Sequence, residues 1–441
     1  MSNSLLAFFL IVFLVFGWVW LVSLRRLQTV EIARIFEPST YNLLIFSFTS
    51  LIGILTILFF GDIEHFNKVV NTYGSRELSI SLFLVVVIIL LMLSFVSRWN
   101  ISYNLPKVQI LHPLKNKDLL VLFLMMIVLT YAVFDRVQAF AVIFSAVDQY
   151  EVMQERKLLS SNWITFFLNK LVVQGILWVV FLNILLRRNI TYNSSFLRNL
   201  MIWTIILLYI LYSIASLQKL TPIYFIVSAF AAMYYHRTFS VIKFFRAGIL
   251  LFILMFGIYY LLVKNIDLTY MLSPFQQGLV GRIFISEISS LYPHFELFGN
   301  RFPHIGFSSI SSTLSSWMNI PDLPRSGETV MSTVNPHWVR MGIGGTYNTL
   351  FIGEAYANFG WFGVWISIIW VPIYFLLLVT YIRKFCPQYS AALLIYCSLN
   401  VSVMAGFNDF IYNPFLILLL IIFTDYKIIF GGRSYKNLSY S

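Results

Sequence analysis

The stretch LSISLFLVVVIILLMLSFVS, residues 78–97, decides the class of fold. It has twenty residues and no charged side chain. A run of about 20 apolar residues is long enough for a helix to cross the roughly 30 Å hydrocarbon core of a bilayer. Comparable runs recur along the 441-residue chain, of which 59% is apolar and only 11% charged. A soluble fold could not bury so much apolar surface, so the sequence predicts an all-α, polytopic integral membrane protein.

The apolar windows predict about eleven transmembrane helices. They cover residues 4–24, 41–60, 78–97, 119–134, 163–186, 199–217, 221–235, 247–263, 361–382, 390–405 and 413–424. One long connection, residues 264–346, separates the eighth helix from the ninth. The chain therefore divides into an N-terminal membrane region (1–263), a large loop (264–346) and a C-terminal membrane region (347–441) that begins with a re-entrant helix.

The charges of the loops predict the orientation. Alternate loops form one set with 18 basic and four acidic residues and a second set with 11 basic and 14 acidic residues. Cytoplasmic loops of membrane proteins carry the excess of Lys and Arg. The first set is therefore predicted to be cytoplasmic, which places the N-terminus and the large loop outside and the C-terminus inside. Because the basic residues flank the membrane helices, the net charge of +12 indicates a membrane protein and no nucleic-acid partner.

The large loop contains a segment with helical periodicity, LVGRIFISEISSLYPHFELF at residues 279–298. Arg282, Ser286 and Ser289 fall on one side of such a helix, and Pro293 is expected to kink or end it. We expect an amphipathic helix on the membrane surface, where Arg282 could bind a lipid phosphate. The alternative is an arginine that only extends toward the lipid headgroups.

A second segment, NPHWVRMGIGGTYNTLFIGEAYANFGWFG at residues 335–363, combines an arginine with glycines. Arg340 precedes Gly342, Gly344 and Gly345, and a helix is expected to begin near residue 346 or 348. Free backbone N–H groups before a helix favour a bound anion, and an arginine adds a forked donor for phosphate oxygens.

The helix that follows carries two polar residues one turn apart, Glu354 and Asn358, which share one face. A carboxylate near or below the membrane surface is costly unless it is used or paired. Glu354 is therefore a candidate catalytic group. The alternative is a tightly packed re-entrant turn in which Glu354 pairs with a structural arginine.

The segments GEAYANFGWFG (353–363) and GRIFISEISSLYPHFELF (281–298) resemble those of bacterial oligosaccharide repeat unit polymerases, the O-antigen (Wzy-type) polymerase family. The resemblance implies a GT-C-like glycosyltransferase of the bacterial inner membrane that needs no metal or other cofactor. Its donor and its acceptor would both be undecaprenyl-diphosphate-linked oligosaccharides, bound within the lipid bilayer. A chain-length regulator would be a further partner.

Such a reaction needs cations for the leaving diphosphate and a base for the acceptor hydroxyl. For the diphosphate the candidates are Arg282 and Arg340, followed by Arg301 and by Lys170, a cation within the fifth predicted helix. For the base the first candidate is Glu354. The second is His337, whose imidazole suits proton transfer near neutral pH.

Three other functions remain open. An O-antigen ligase would share the lipid donor but transfer finished chains to another acceptor. A metal-dependent polyprenyl-phosphate glycosyltransferase could use Asp62 and Glu64, whose oxygens suit magnesium or manganese. A flippase or transporter of lipid-linked oligosaccharides would need polar residues in several membrane helices.

Overall fold

The computed structural model describes residues 29–60, 76–102, 116–137, 163–188, 196–216, 221–240, 278–341 and 349–426, with isolated residues between them. This part of the chain is almost entirely helical. A short antiparallel ladder of two strands, β1 (Thr29–Glu31) and β2 (Thr238–Ser240), is the only sheet among these residues, and residues 299–311 and 318–325 are not helical. Apolar side chains from most of the helices form one continuous core.

Six of the described helices are long and apolar enough to cross a membrane. They are Pro38–Phe59, Arg76–Trp99, Lys117–Phe134, Phe166–Arg188, Phe196–Ala215 and Phe351–Phe385. This confirms the class of a polytopic membrane protein. The helices predicted at 4–24 and 247–263 lie almost wholly outside the described residues.

We number the helices used below in chain order. They are α1 (Pro38–Phe59), α2 (Arg76–Ser102), α3 (Asn116–Phe134), α4 (Phe166–Arg188), α5 (Phe196–Ala215), α6 (Thr221–Met233), α7 (Leu279–Phe284), α8 (Ser286–Ser289), α9 (Leu291–Leu297), α10 (Ser312–Trp317), α11 (Ser326–Val334), α12 (Pro336–Arg340), α13 (Phe351–Phe385), α14 (Ser390–Asn400), α15 (Phe407–Ile411) and α16 (Pro414–Phe423). The helical turn Trp163–Leu168 leads into α4 without a break.

The contacts between loops join members of the same set, as the two sets were defined from the charges of the loops. The β1–β2 ladder joins the loop before α1 to the loop after α6, and Arg187 at the end of α4 pairs with Asp118 at the start of α3, 2.9 Å apart. All four loops belong to the basic set. At the opposite end, Ser79 of α2 hydrogen-bonds Tyr292 of α9 at 2.7 Å, which joins two segments of the other set.

The predicted membrane helices 390–405 and 413–424 correspond to α14 and α16, and the irregular residues 401–406 and the short helix α15 lie between them. Helices α14 and α16 have 11 and 10 residues, so at 1.5 Å per residue they are roughly 16.5 and 15 Å long. The backbone N–H of Asp425 donates to the carbonyl of Phe385 at 2.7 Å, and the rings of Tyr389 and Phe423 pack 4.6 Å apart. The two helices therefore form a hairpin whose two ends lie together, next to the end of α13.

Helix α13 contains a sharp reversal at Gly360. Its φ of 62° and ψ of −152° belong to a region that is essentially restricted to glycine. Beyond it, Gly363 packs so closely against Ala355 that a Cβ would overlap the Ala355 carbonyl oxygen. Residues 351–359 thus form a short arm that packs back against the long helix 361–385. The ring of Phe351 at the start of this arm lies 6.0 Å from Phe410 of α15, inside the bundle.

The segment 279–298 is not the single amphipathic surface helix that its periodicity predicts. It forms α7, α8 and α9, and α7 ends at Ile285, whose φ is −121°. Pro293 does not kink or end a helix, because it lies in the first turn of α9, where a proline is tolerated. The backbone carbonyl of Phe284 packs against Gly53 of α1, leaving no room for a Cβ there. This segment is therefore packed against the membrane helices.

Candidate functional site

A forked ion pair joins the large loop to the re-entrant arm. Arg325, the residue before α11, donates from Nε to Oε1 of Glu354 at 2.8 Å and from Nη2 to Oε2 at 2.9 Å. The side chain of Glu354 is only 3% exposed, and that of Arg325 is 37% exposed. A buried carboxylate requires such a partner, since its desolvation would otherwise be costly.

Asp409 of α15 extends the pair into a cluster of three charges. Its oxygens accept from Nη1 and Nη2 of Arg325 at 3.2 and 3.3 Å. The neighbouring backbone N–H, that of Asn408, donates to Oε2 of Glu354 at 2.8 Å. The cluster thus connects the large loop, the arm of α13 and the tip of the C-terminal hairpin.

Amide side chains hold the tip of the hairpin against the arm. Asn358 donates from Nδ2 to Oδ1 of Asn408 at 2.8 Å, and Asn408 donates from Nδ2 to the carbonyl of Ser309 at 2.9 Å. Both asparagines are buried. As predicted, Glu354 and Asn358 share one face of the helix, and both contact residue 408. A Cβ at Gly406 would overlap Oε2 of Glu354, so the tip requires glycine here.

A polar cavity of about 200 Å³ lies beside this cluster, between α4 and the hairpin. Its charged groups are Lys170 and Asp409. The other lining residues are Gln174, Tyr396, Asn400, Val401, Ala405, Phe410, Asn413, Phe415 and Leu416. Ionisable residues within a bundle of membrane helices are candidates for a functional site, and the cavity has two of them.

The local structure of α4 explains how Lys170 reaches the cavity. Residues Asn169–Leu177 form a wide π-helical segment, and such segments are frequent at functional sites. Lys170 and Gln174 both line the cavity from this segment. The ammonium of Lys170 lies 4.4 Å from the ring centroid of Phe415 at the start of α16. It is held there by a cation–π contact.

The electrostatics keep Arg325 charged. Burial by itself lowers the pKa of the guanidinium, but hydrogen bonds and Coulombic attraction from Glu354 and then from Asp409 outweigh it. Together they raise the pKa of Arg325 further above its usual range. The cluster therefore keeps its fixed positive centre at any physiological pH.

The candidates from the sequence separate into two groups. Glu354 and Lys170 contribute to the cluster and to the adjoining cavity. Arg282, Arg301, Arg340 and His337 are exposed on segments of the large loop. Gly342, Gly344 and Gly345, proposed as an anion-binding loop, lie outside the described residues, as do Asp62 and Glu64. Within the described part of the chain, no group of three or more His, Cys, Asp or Glu side chains could hold a metal ion.

Two central residues, Arg325 and Asp409, were given no role by the sequence. A signal for Asp409 existed. It lies between the predicted membrane helices 390–405 and 413–424, and a carboxylate so close to the membrane region is costly unless it is used or paired. Arg325 carries no comparable signal, because several arginines of the large loop look equivalent in the sequence.

Comparison with known protein families, with curated proteins and with solved structures gives no match to this chain.

Proposed function

We propose that this chain is a membrane glycosyltransferase that polymerises undecaprenyl-diphosphate-linked oligosaccharide repeat units into a surface polysaccharide. The single observation that carries the proposal is the Arg325–Glu354–Asp409 cluster beside a polar cavity inside an apolar helical bundle. We further propose a GT-C-like arrangement of about eleven membrane helices in a bacterial inner membrane, with the N-terminus periplasmic and the C-terminus cytoplasmic. In that orientation the large loop faces the periplasm.

The proposed reaction moves the growing chain from its lipid diphosphate to a hydroxyl of a single lipid-linked repeat. The hydroxyl oxygen forms a bond to the anomeric carbon, and the bond between that carbon and the diphosphate oxygen breaks. The diphosphate leaves with the electron pair, and the hydroxyl proton passes to a carboxylate. General-base assistance of this kind contributes about 10²–10⁴-fold to a rate.

We assign the carboxylate that accepts the proton to Asp409 instead of Glu354. Glu354 already accepts three hydrogen bonds, from Nε and Nη2 of Arg325 and from the N–H of Asn408, and it is almost completely buried. Asp409 lines the cavity, and its side chain is 39% exposed. Glu354 is then a positioning residue that acts through Arg325.

The leaving diphosphate needs cations outside the cluster, because Arg325 is already bonded to two carboxylates. Arg282, Arg301 and Arg340 are exposed on the large loop and are the proposed contacts. Arginine suits this task because its planar fork matches phosphate oxygens.

The test is deletion of the gene in its host, followed by gel electrophoresis of the surface polysaccharide. We expect a ladder of chain lengths to collapse to a single repeat unit. Full-length chains retained on the lipid carrier would instead identify a ligase, and an unchanged ladder would contradict both.

Complementation with Arg282→Ala or Arg340→Ala should fail to restore the ladder although the protein inserts. Wild-type chain lengths in both variants would remove their proposed phosphate contacts.

A second candidate is a flippase or transporter of lipid-linked oligosaccharides. It is favoured by the interrupted helices at the site, because transporters often build substrate sites from half-helices near the middle of the membrane. The same deletion separates the two functions. Loss of a polymerase leaves single repeats on the outer face, whereas loss of a flippase leaves lipid-linked repeats accessible only from the cytoplasmic face.

A further inference from the structure

The cavity beside the cluster is balanced in charge. Lys170 supplies one positive charge to its wall and Asp409 one negative charge. Including the adjoining pair, Arg325 and Glu354, the described groups carry two positive and two negative charges. A diphosphate has at least two negative charges and is bound where cationic donors are in excess. Among the described residues the cavity therefore lacks the excess of positive charge that a diphosphate site needs, although Lys170 taken alone suggested one.

The size of the cavity limits its ligand to one small group. Its volume is about 200 Å³, below the roughly 300–1,000 Å³ of pockets for drug-sized ligands. A single sugar ring can be accommodated within it, whereas the rest of an oligosaccharide would have to extend out of it.

The chemistry of the wall matches the alternating polar and apolar faces of such a ring. Gln174 and Asn400 provide amide groups, and Tyr396 provides a hydroxyl. Each of these groups can both donate and accept a hydrogen bond, as a sugar hydroxyl can. The side chains of Val401 and Leu416 supply an apolar part of the wall for the C–H side of a ring.

We propose that this cavity binds one neutral sugar ring, the terminal sugar of the lipid-linked repeat that acts as acceptor. A hydroxyl of this ring lies against Asp409, which takes its proton as the new bond forms. The ammonium of Lys170, held over Phe415, donates to a second hydroxyl and fixes the orientation of the ring. This inference rests on the proposed function, since it names the substrate group that occupies the site.

The test uses a thiol placed in the cavity wall of the full-length protein in detergent. Ala405→Cys is treated with a small methanethiosulfonate reagent, and modification is followed by mass spectrometry. The wild type, whose Cys386 and Cys397 are buried, gives the background. Neutral probes are glucose, galactose, mannose and N-acetylglucosamine, and the anionic probe is inorganic pyrophosphate.

We expect at least one neutral sugar to slow modification of Cys at position 405, about threefold at a concentration of twice its Kd. Pyrophosphate should have no effect. Asp322→Cys, in an exposed part of the large loop, should be modified at the same rate with either probe. Adding Gln174→Leu to Ala405→Cys should abolish protection by the sugar.

Three outcomes would overturn the inference: protection by pyrophosphate, protection by none of the probes, and a thiol at position 405 that the reagent cannot reach. These results are separate from the deletion experiment. A collapsed ladder without protection by a sugar would leave the polymerase proposal standing and remove only the sugar site. Protection by a sugar with an unchanged ladder would keep the site and reject the polymerase.

Discussion

Arg325 and Glu354, 29 residues apart in sequence, form two parallel hydrogen bonds of 2.8 and 2.9 Å. The pair fixes both the position and the plane of the guanidinium, because each nitrogen donates to a different oxygen. That orientation also leaves Nη1 and Nη2 pointing at Asp409. The buried carboxylate therefore determines where the more exposed one lies, and through it the geometry of the cavity.

Replacement of Glu354 by Gln is expected to destabilise the protein. The amide nitrogen would face donors of Arg325 or Asn408 where an oxygen now accepts. Breaking a fully buried ion pair costs about 3–5 kcal/mol. We expect about 1–3 kcal/mol here, because Arg325 is partly exposed and keeps Asp409. Thermal unfolding in detergent measures the change. Glu328→Gln, on an exposed position of α11, is the matched control and should unfold as the wild type does.

Replacement of Asp409 by Asn separates catalysis from folding. The amide keeps the size of the side chain and one acceptor for Arg325, but it cannot take a proton. We expect polymer formation to fall about 10²–10⁴-fold while thermal unfolding changes little. The measurement is the rate of chain growth on purified lipid-linked repeats. Asp322→Asn in the exposed loop should keep the wild-type rate, and a full rate in the Asp409 variant would show that another group is the base.

Replacement of Gly360 by Ala tests the reversal that places the re-entrant arm. Its backbone conformation, φ 62° and ψ −152°, costs a residue with a Cβ about 1–3 kcal/mol. We expect a lower unfolding temperature and loss of chain growth, since the arm carries Glu354. Gly257→Ala is the control, because none of the described residues has a heavy atom within 4 Å of a Cβ added there. Equal stability of the two variants would show that the reversal is not required.

The sequence was sufficient for the class of fold and for part of the site. Long uncharged runs identify membrane helices because a bilayer requires them, and spacing alone placed Glu354 and Asn358 on one face. Lys170 was marked by its depth in an apolar helix. Each of these inferences depends on residues close together in the chain.

The parts that could not be predicted depend on contacts between distant segments. Asp409 is 84 residues from Arg325, and the amides that hold the hairpin tip join residues 309, 358 and 408. Helices α14 and α16 have the composition of membrane helices, and the irregular segment 401–406 and the short α15 between them appear only in the packed structure. Burial of α7 to α9 was missed for the same reason, because the periodicity of a segment does not reveal which neighbour covers it.

Glu287 of α8 should make stability depend on pH. Its Oε2 is buried, and none of the residues that the structure describes hydrogen-bonds to it. Burial raises the pKa of this carboxyl from 4.5 to about 7. Burial is the cause of this shift among the described groups. Tyr224 of α6 faces Glu287, and its phenolate, if it formed, would repel the carboxylate.

The sign of this dependence follows from proton binding. Between pH 4.5 and 7 the folded protein holds a proton on Glu287 that the unfolded chain has lost, so stability falls as the pH rises through this range, by at most about 1.4 kcal/mol per unit. His294 acts in the opposite direction, because burial lowers its pKa to about 4. Because the wild type and Glu287→Gln both contain His294, its contribution cancels in the difference between their unfolding temperatures. We expect the variant to gain relative stability from pH 5 to pH 8, while Glu296→Gln, at an exposed position of α9, shows no such trend. A difference that is independent of pH would mean that Glu287 ionises normally and that water reaches its carboxylate.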